Sequence, residues 1–145
     1  MNMIEHLKKY VIKILFFIGI MQGTVSLDKI STIANNFIIE RSPHNQNYKI
    51  DSNFLDSVNN IDNFYIINLN PKGFIIISAN TNIIPIIAYS FYHDINLNNL
   101  PQQLDWILSR YRENIYDIIS NNIPSNKDID NLWALYLDEM NPDRD

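Results

Sequence analysis

Asn63 to Ser90 reads NFYIINLNPKGFIIISANTNIIPIIAYS, and the reading of this stretch decides the fold. Phe64 to Leu69 and Phe74 to Ser78 are almost entirely β-branched or aromatic, with Asn70-Pro71-Lys72-Gly73 between them as a turn, so the pattern predicts a β-hairpin. Ile75, Ile76 and Ile77 are consecutive instead of alternating with polar residues, which predicts a strand buried on both faces in the middle of a sheet. A third strand begins at Pro85 and runs to Ala88-Tyr89-Ser90. Proline has no N–H to donate to a ladder, so this strand starts irregularly or lies at an edge.

Working outward, a polar loop from His93 to Asn99 leads into Leu100 to Ile119, where Leu104, Ile107, Leu108, Tyr111, Ile115 and Ile118 share one helical face. Asn99 and Gln102 are spaced as a capping box, with Pro101 in the first turn. A shorter helix is expected from Asp128 to Leu137, burying Leu132, Leu135 and Tyr136 and stopped by Asn141-Pro142. On the other side, Leu27, Ile30, Ile33, Ala34, Phe37 and Ile38 recur at helical spacing, and that helix ends near Arg41-Ser42-Pro43. His44 to Asn63 is polar with scattered apolar positions at Tyr48, Ile50, Phe54, Leu55 and Val58, and reads as a loop carrying one short strand or helical turn. The sum is an α+β fold: an antiparallel sheet built on a central hairpin with helices packed against it.

The chain has 145 residues and no cysteine. Glu5, Lys8 and Lys9 precede an apolar run from Tyr10 to Met21 broken only by Lys13, and Thr24-Val25-Ser26 resembles a cleavage motif, so residues 1–26 read as a secretory signal. The competing reading is an uncleaved membrane anchor, but Lys13 leaves the run well short of the ~20 apolar residues that a span needs. Residues 27–145 then form a single small domain, secreted or periplasmic, that no disulfide can staple. The formal net charge of −5 grows more negative once the signal is removed, which argues against nucleic acid as a partner. Ile and Asn are both over-used, so asparagine by itself says little about function. Gly73 is the only glycine after Gly23, which rules out a glycine-rich phosphate cradle.

Catalysis by a cysteine nucleophile is impossible in this chain, and a serine would need a base held by a third group. His44 and His93 lie in polar loops without a fixed partner and read as surface residues. Asp128, Asp130 and Glu139 mimic a calcium-loop spacing, yet Leu132 stands where an oxygen ligand is needed and Trp133 where glycine makes the turn. A helix start explains them better, and no metal or other cofactor is expected. Opposite the core face of the long helix lie Trp106, Arg110, Glu113 and Asp117. They form either a solvated face with intrahelical ion pairs or, through Trp106 and Arg110, an anchor for a partner.

The order Tyr65-Ile66-Ile67-Asn68, Gly73-Phe74-Ile75-Ile76-Ile77-Ser78, Pro85-Ile86-Ile87-Ala88-Tyr89-Ser90, then a helix with Tyr111 and Ile115, resembles the propeptide of streptopain-type cysteine peptidases. That module, also called the Spi inhibitor module, occurs alone as a dedicated inhibitor. This chain departs from the family in having Ala79-Asn80 where Gly-Asp is frequent, and Ala88 where a glycine precedes the Tyr-Ser pair. The resemblance implies a domain that covers a peptidase's substrate cleft with the loop between the Tyr-Ser strand and the long helix, here His93 to Gln103. On that basis Asn96, Asn98, Asn99, Gln102 and Gln103 are the expected contacts, flanked by Trp106 and Arg110, and the partner is a streptopain-like cysteine peptidase with no membrane role after signal removal. An asparagine-rich loop on a rigid frame offers amide donors and acceptors to a cleft, although an ordinary solvated loop would have the same composition. Two functions fit: a stand-alone secreted inhibitor, or an orphan propeptide of a truncated peptidase gene. The DNA downstream of Asp145 separates them, since remnants of a catalytic domain there favour truncation. An adhesion module would need repeats or an anchor, and neither is visible.

Overall fold

Three consecutive isoleucines can all be buried only if the sheet is covered on both sides, and that is what the computed structural model, which describes residues 24–138, contains. The elements run α1 (Leu27–Arg41), β1 (Lys49–Val58), β2 (Ile61–Asn70), β3 (Phe74–Ser78), β4 (Ile86–Ser90), α2 (Gln102–Ser120) and α3 (Lys127–Leu137). The strands form one antiparallel sheet in the order β1-β2-β3-β4, with Ile66 opposite Ile76 and Ile76 opposite Ala88. Side chains alternate across the pleat. Tyr65, Ile67, Leu69, Ile75 and Ile77 join a core with Ile30, Ile33, Phe37, Trp133 and Tyr136 from α1 and α3. Phe64, Ile66, Phe74 and Ile76 join a second core with Leu108 of α2, backed by Ile95, Leu100 and Leu104. The fold is therefore α+β in three layers, one helix on one face of the sheet and two on the other.

The predicted hairpin, its interior position and the edge position of the strand after Pro85 are all present. Asn70-Pro71 is cis and Gly73 has φ +105°, a conformation open to glycine and costly for other residues. Residues 44–63 differ from the expectation. They supply a ten-residue β1 and the start of β2, joined by Asn59 and Asn60 at φ 53° and 62°. β1 is an edge strand whose residues are mostly exposed, so it lacks the apolar alternation by which a strand is recognised, and its pairing is broken by irregularities at Ile50/Ser52 and Asp56/Ser57. The double asparagine between Val58 and Ile61 was the available signal, because asparagine tolerates positive φ in two-residue hairpin turns.

The helices also correct three details. No capping box forms: α2 begins at Gln102 with Pro101 as its N-cap at ψ 136°, no side chain caps it, and the Asn99 N–H is taken by the Asn96 carbonyl at 3.0 Å. Ile107, expected on the core face of α2, is exposed and belongs to none of the cores. In α3 the buried residues are Trp133 and Tyr136, while Leu132 and Leu135 are exposed. Polar bonds turn the helix this way. The Trp133 indole N–H donates to the Ile83 carbonyl at 2.7 Å, and the Asn36 side-chain amide of α1 donates to the Tyr136 carbonyl at 2.8 Å. The calcium-loop mimic is a helix start, with the Asn126 side chain accepting from the Asp128 and Ile129 amides. Glu139, Asn141 and Pro142 lie outside the described residues, as do residues 1–23 of the expected signal. Thr24 and Val25, at the end of that signal, pack into the domain: Thr24 bridges Asn80, and buried Val25 donates its N–H to the Ala79 carbonyl at 2.9 Å.

Burial raises the phenol pKa of Tyr65, Tyr111 and Tyr136 above the ordinary 10.0, with Asp62 adding to the effect at Tyr65 and Glu40 at Tyr136. Above about pH 10 the folded protein thus holds protons that the unfolded chain has lost, and stability falls as pH rises. Denaturant midpoints are expected to be level from about pH 7 to 9 and to drop between about pH 10 and 11. A level profile through that alkaline range would show these tyrosines titrating like free phenols.

Candidate functional site

The loop of residues 91–101 leaves the edge strand β4 and enters α2, so both of its ends are fixed by the sheet and helix it connects. Its tip is a tight turn. The Asn98 N–H donates to Asn96 Oδ1 at 3.0 Å and the Asn99 N–H to the Asn96 carbonyl at 3.0 Å. These bonds use the side chain of Asn96 but only the backbone of Asn98 and Asn99, whose side-chain amides stay outside the turn. On either side of the tip, Ile95 and Leu100 are half-buried against the core beneath α2. The loop is thus a held structure with an exposed polar crown.

Gln102 and Gln103 begin α2 and are exposed, and Trp106 and Arg110 follow Gln102 at successive intervals of four, one turn apart along the same face. All seven expected contacts, Asn96, Asn98, Asn99, Gln102, Gln103, Trp106 and Arg110, are exposed, the first three in the loop and the other four in the first half of α2. Trp106 is 64% exposed, with no place in any of the three cores. Arg110 Nη1 meets Glu113 Oε2 at 2.8 Å, the intrahelical ion pair expected of a solvated face. Sequence reasoning missed Leu97, which stands 39% exposed at the turn itself, and Tyr92, 63% exposed at the loop's root. An apolar residue inside an asparagine run was the signal for Leu97. His44 and His93 are exposed, and among the described residues no group of three or more potential ligands could hold a metal ion.

A less visible feature holds α2 against the sheet. Arg112 Nε and Nη2 donate to the two carboxylate oxygens of Asp56 at 3.0 and 2.8 Å, and the Asn63 amide donates to Asp56 Oδ2 at 3.0 Å. The guanidinium also lies 5.2 Å from the centroid of the Phe64 ring. Hydrogen bonding to Asp56 raises the Arg112 pKa above its ordinary value and outweighs desolvation, which lowers it. The partners come from β1 and α2, 56 positions apart, so no local pattern announces them. Asp56→Ala is expected to cost about 2 kcal/mol, because it leaves a half-buried guanidinium unpaired, whereas Glu113→Ala should stay within ~0.5 kcal/mol. Urea midpoints of the two variants check this; equal midpoints would show that the Asp56 pair contributes no more than a surface one. An open cleft of about 440 Å³ beside this pair, lined by Val58, Asn59, Ile61 and Tyr116 among others, includes none of the seven expected contacts.

The model of one protein family, described as Spi protease inhibitor, matches residues 23–115. The chain belongs to the Spi protease inhibitor family. The match covers the whole sheet, the 91–101 loop and α2 as far as Ile115, and so includes every expected contact. It stops before α3, which the structure nevertheless packs into the same core as α1. Spi membership makes this a protease-inhibitor module whose partner is a protease. No curated protein and no solved structure matches the chain. Among the described residues, no helix is long and apolar enough to cross a membrane.

Proposed function

We propose that this Spi module is a secreted, reversible inhibitor of a streptopain-type cysteine peptidase, and that the 91–101 loop with the first turns of α2 occupies the enzyme's substrate cleft. The observation that carries the reading is the pairing of Spi membership with a turn whose own bonds leave the Asn98 and Asn99 side chains free to meet a partner. Exposed Leu97 at the tip and Trp106 behind it add apolar anchors of the kind that dominate interfaces. Without a cysteine the chain cannot supply the thiolate that its target uses, so it acts by occupying the cleft and not by chemistry of its own. The signal-like run from Tyr10 to Met21 supports the secreted part of this reading.

The test is a titration of the purified protein against a streptopain-type peptidase, preferably from the same organism, with a peptide substrate as reporter. Reversible loss of activity at micromolar inhibitor or below supports the proposal, and the protein alone should hydrolyse nothing. If cognate peptidases remain fully active at that concentration, the orphan-propeptide reading takes its place.

A further inference from the structure

The root of the loop is built more tightly than its composition suggests. Gly73, in the β2–β3 turn, lies so close beneath it that a Cβ there would stand 2.3 Å from the Ser90 carbonyl oxygen and 3.1 Å from the Phe91 Cα. The same glycine donates its N–H to Asp94 Oδ1 at 2.7 Å. Around this contact, Ser90 Oγ accepts from the Tyr92 and His93 amides at 3.2 and 3.0 Å, and the buried Tyr48 hydroxyl donates to the Phe91 carbonyl at 2.6 Å. Beyond Asp94, the next fixed points are Ile95 in the core and the Asn96 turn.

We propose that the β2–β3 turn positions the 91–101 loop through the Gly73 to Asp94 bond, so that Asp94 is a positioning residue for inhibition and not a group that touches the peptidase. This rests on the inhibitor reading above. Three bonds fix residues 90–93, and among the described residues the Asp94 carboxylate makes the one hydrogen bond that ties the next step of the chain back to the β2–β3 turn, before Ile95 packs against the core. A carboxylate accepting from a backbone N–H is a charge-assisted bond, stronger than a neutral one. Its effect on binding comes through order: a loop already held in its bound shape loses less conformational entropy on docking. The use of a glycine at residue 73, in a chain with only 3 of them, fits a site where backbone must pass within contact of backbone.

Two variants of the full-length protein separate positioning from contact. Asp94→Ala removes the acceptor, whereas Asp94→Asn retains an oxygen at the same place. Backbone ¹⁵N order parameters for Asn96 to Asn99 are expected to fall from about 0.85 to below about 0.6 in Asp94→Ala and to stay high in Asp94→Asn. Inhibition of the streptopain-type peptidase is expected to weaken by about tenfold in the alanine variant and to be largely restored in the asparagine variant, the order of one hydrogen bond's net worth. Unchanged order parameters in Asp94→Ala would overturn the proposal, and so would weakened inhibition in both variants with the loop still ordered, which is the signature of direct contact. If the wild-type protein inhibits nothing, the inhibitor reading falls by itself, and the order parameters alone decide whether Asp94 positions the loop.

Discussion

Ile76→Asp is expected to abolish cooperative unfolding, while Trp106→Ala leaves the melting curve where it is. Ile76 is completely buried, paired with Ile66 and Ala88 on neighbouring strands, and its side chain lies in the core with Phe64, Phe74 and Leu108. An aspartate there loses the transfer energy of the isoleucine and places a carboxyl group among apolar side chains. The combined cost is upward of about 4 kcal/mol, a large part of the stability of about 5 to 15 kcal/mol typical of a domain. Ile76→Val, which keeps the shape less one methyl, is the control and should cost about 1 kcal/mol. Trp106 touches none of the cores, so its truncation falls in the range of about ±0.5 kcal/mol usual for surface positions. Thermal melts followed by circular dichroism check the set. A sharp melt little changed by Ile76→Asp would mean that β3 is not the centre of the sheet.

The centre of the fold is legible because burial on both faces leaves a mark that polar residues cannot dilute. Ile75-Ile76-Ile77 cannot be written into a half-exposed strand, and the β2–β3 hairpin follows from it. The long helix is legible for the same kind of reason, since Leu104, Leu108, Ile115 and Ile118 repeat over several turns. Legibility fails where a residue's place is set by a distant partner. Trp133 is buried instead of Leu132 and Leu135 because its indole finds the Ile83 carbonyl and its neighbour Tyr136 meets Asn36 and Phe37, and none of these can be seen from within α3. Exposed β1 fails by the opposite route. An edge strand has only one neighbour to satisfy and little to bury, so its residues are chosen for solubility and read as loop. The loop itself was legible as a place but not as a shape: the Asn96 turn and the Asp94 bond show that two polar residues in it hold the backbone, which composition alone does not distinguish from display.

That division of labour sets the expected outcome of an alanine series through the loop and the outer side of α2. Asn98→Ala, Asn99→Ala and Gln103→Ala remove exposed side chains that take no part in the turn, so the melting curve should be unchanged in all three. If the loop enters the cleft, at least one of them is expected to weaken inhibition by roughly thirty-fold, the equivalent of about 2 kcal/mol for a hot-spot truncation. Trp106→Ala should weaken it as well if the outer side of α2 flanks the cleft, since a large exposed aromatic gains most from losing water on binding. Asn96→Ala behaves differently: it deletes the acceptor of the Asn98 N–H, and inhibition then falls because the turn opens, with slower association as well as faster release. Surface plasmon resonance with the inactive peptidase, its cysteine replaced by alanine, separates the two rates without turnover. Undiminished affinity in the Asn98, Asn99, Gln103 and Trp106 variants together would place the contact elsewhere on the module, and the cleft beside Arg112 and Tyr116 would be the next surface to substitute.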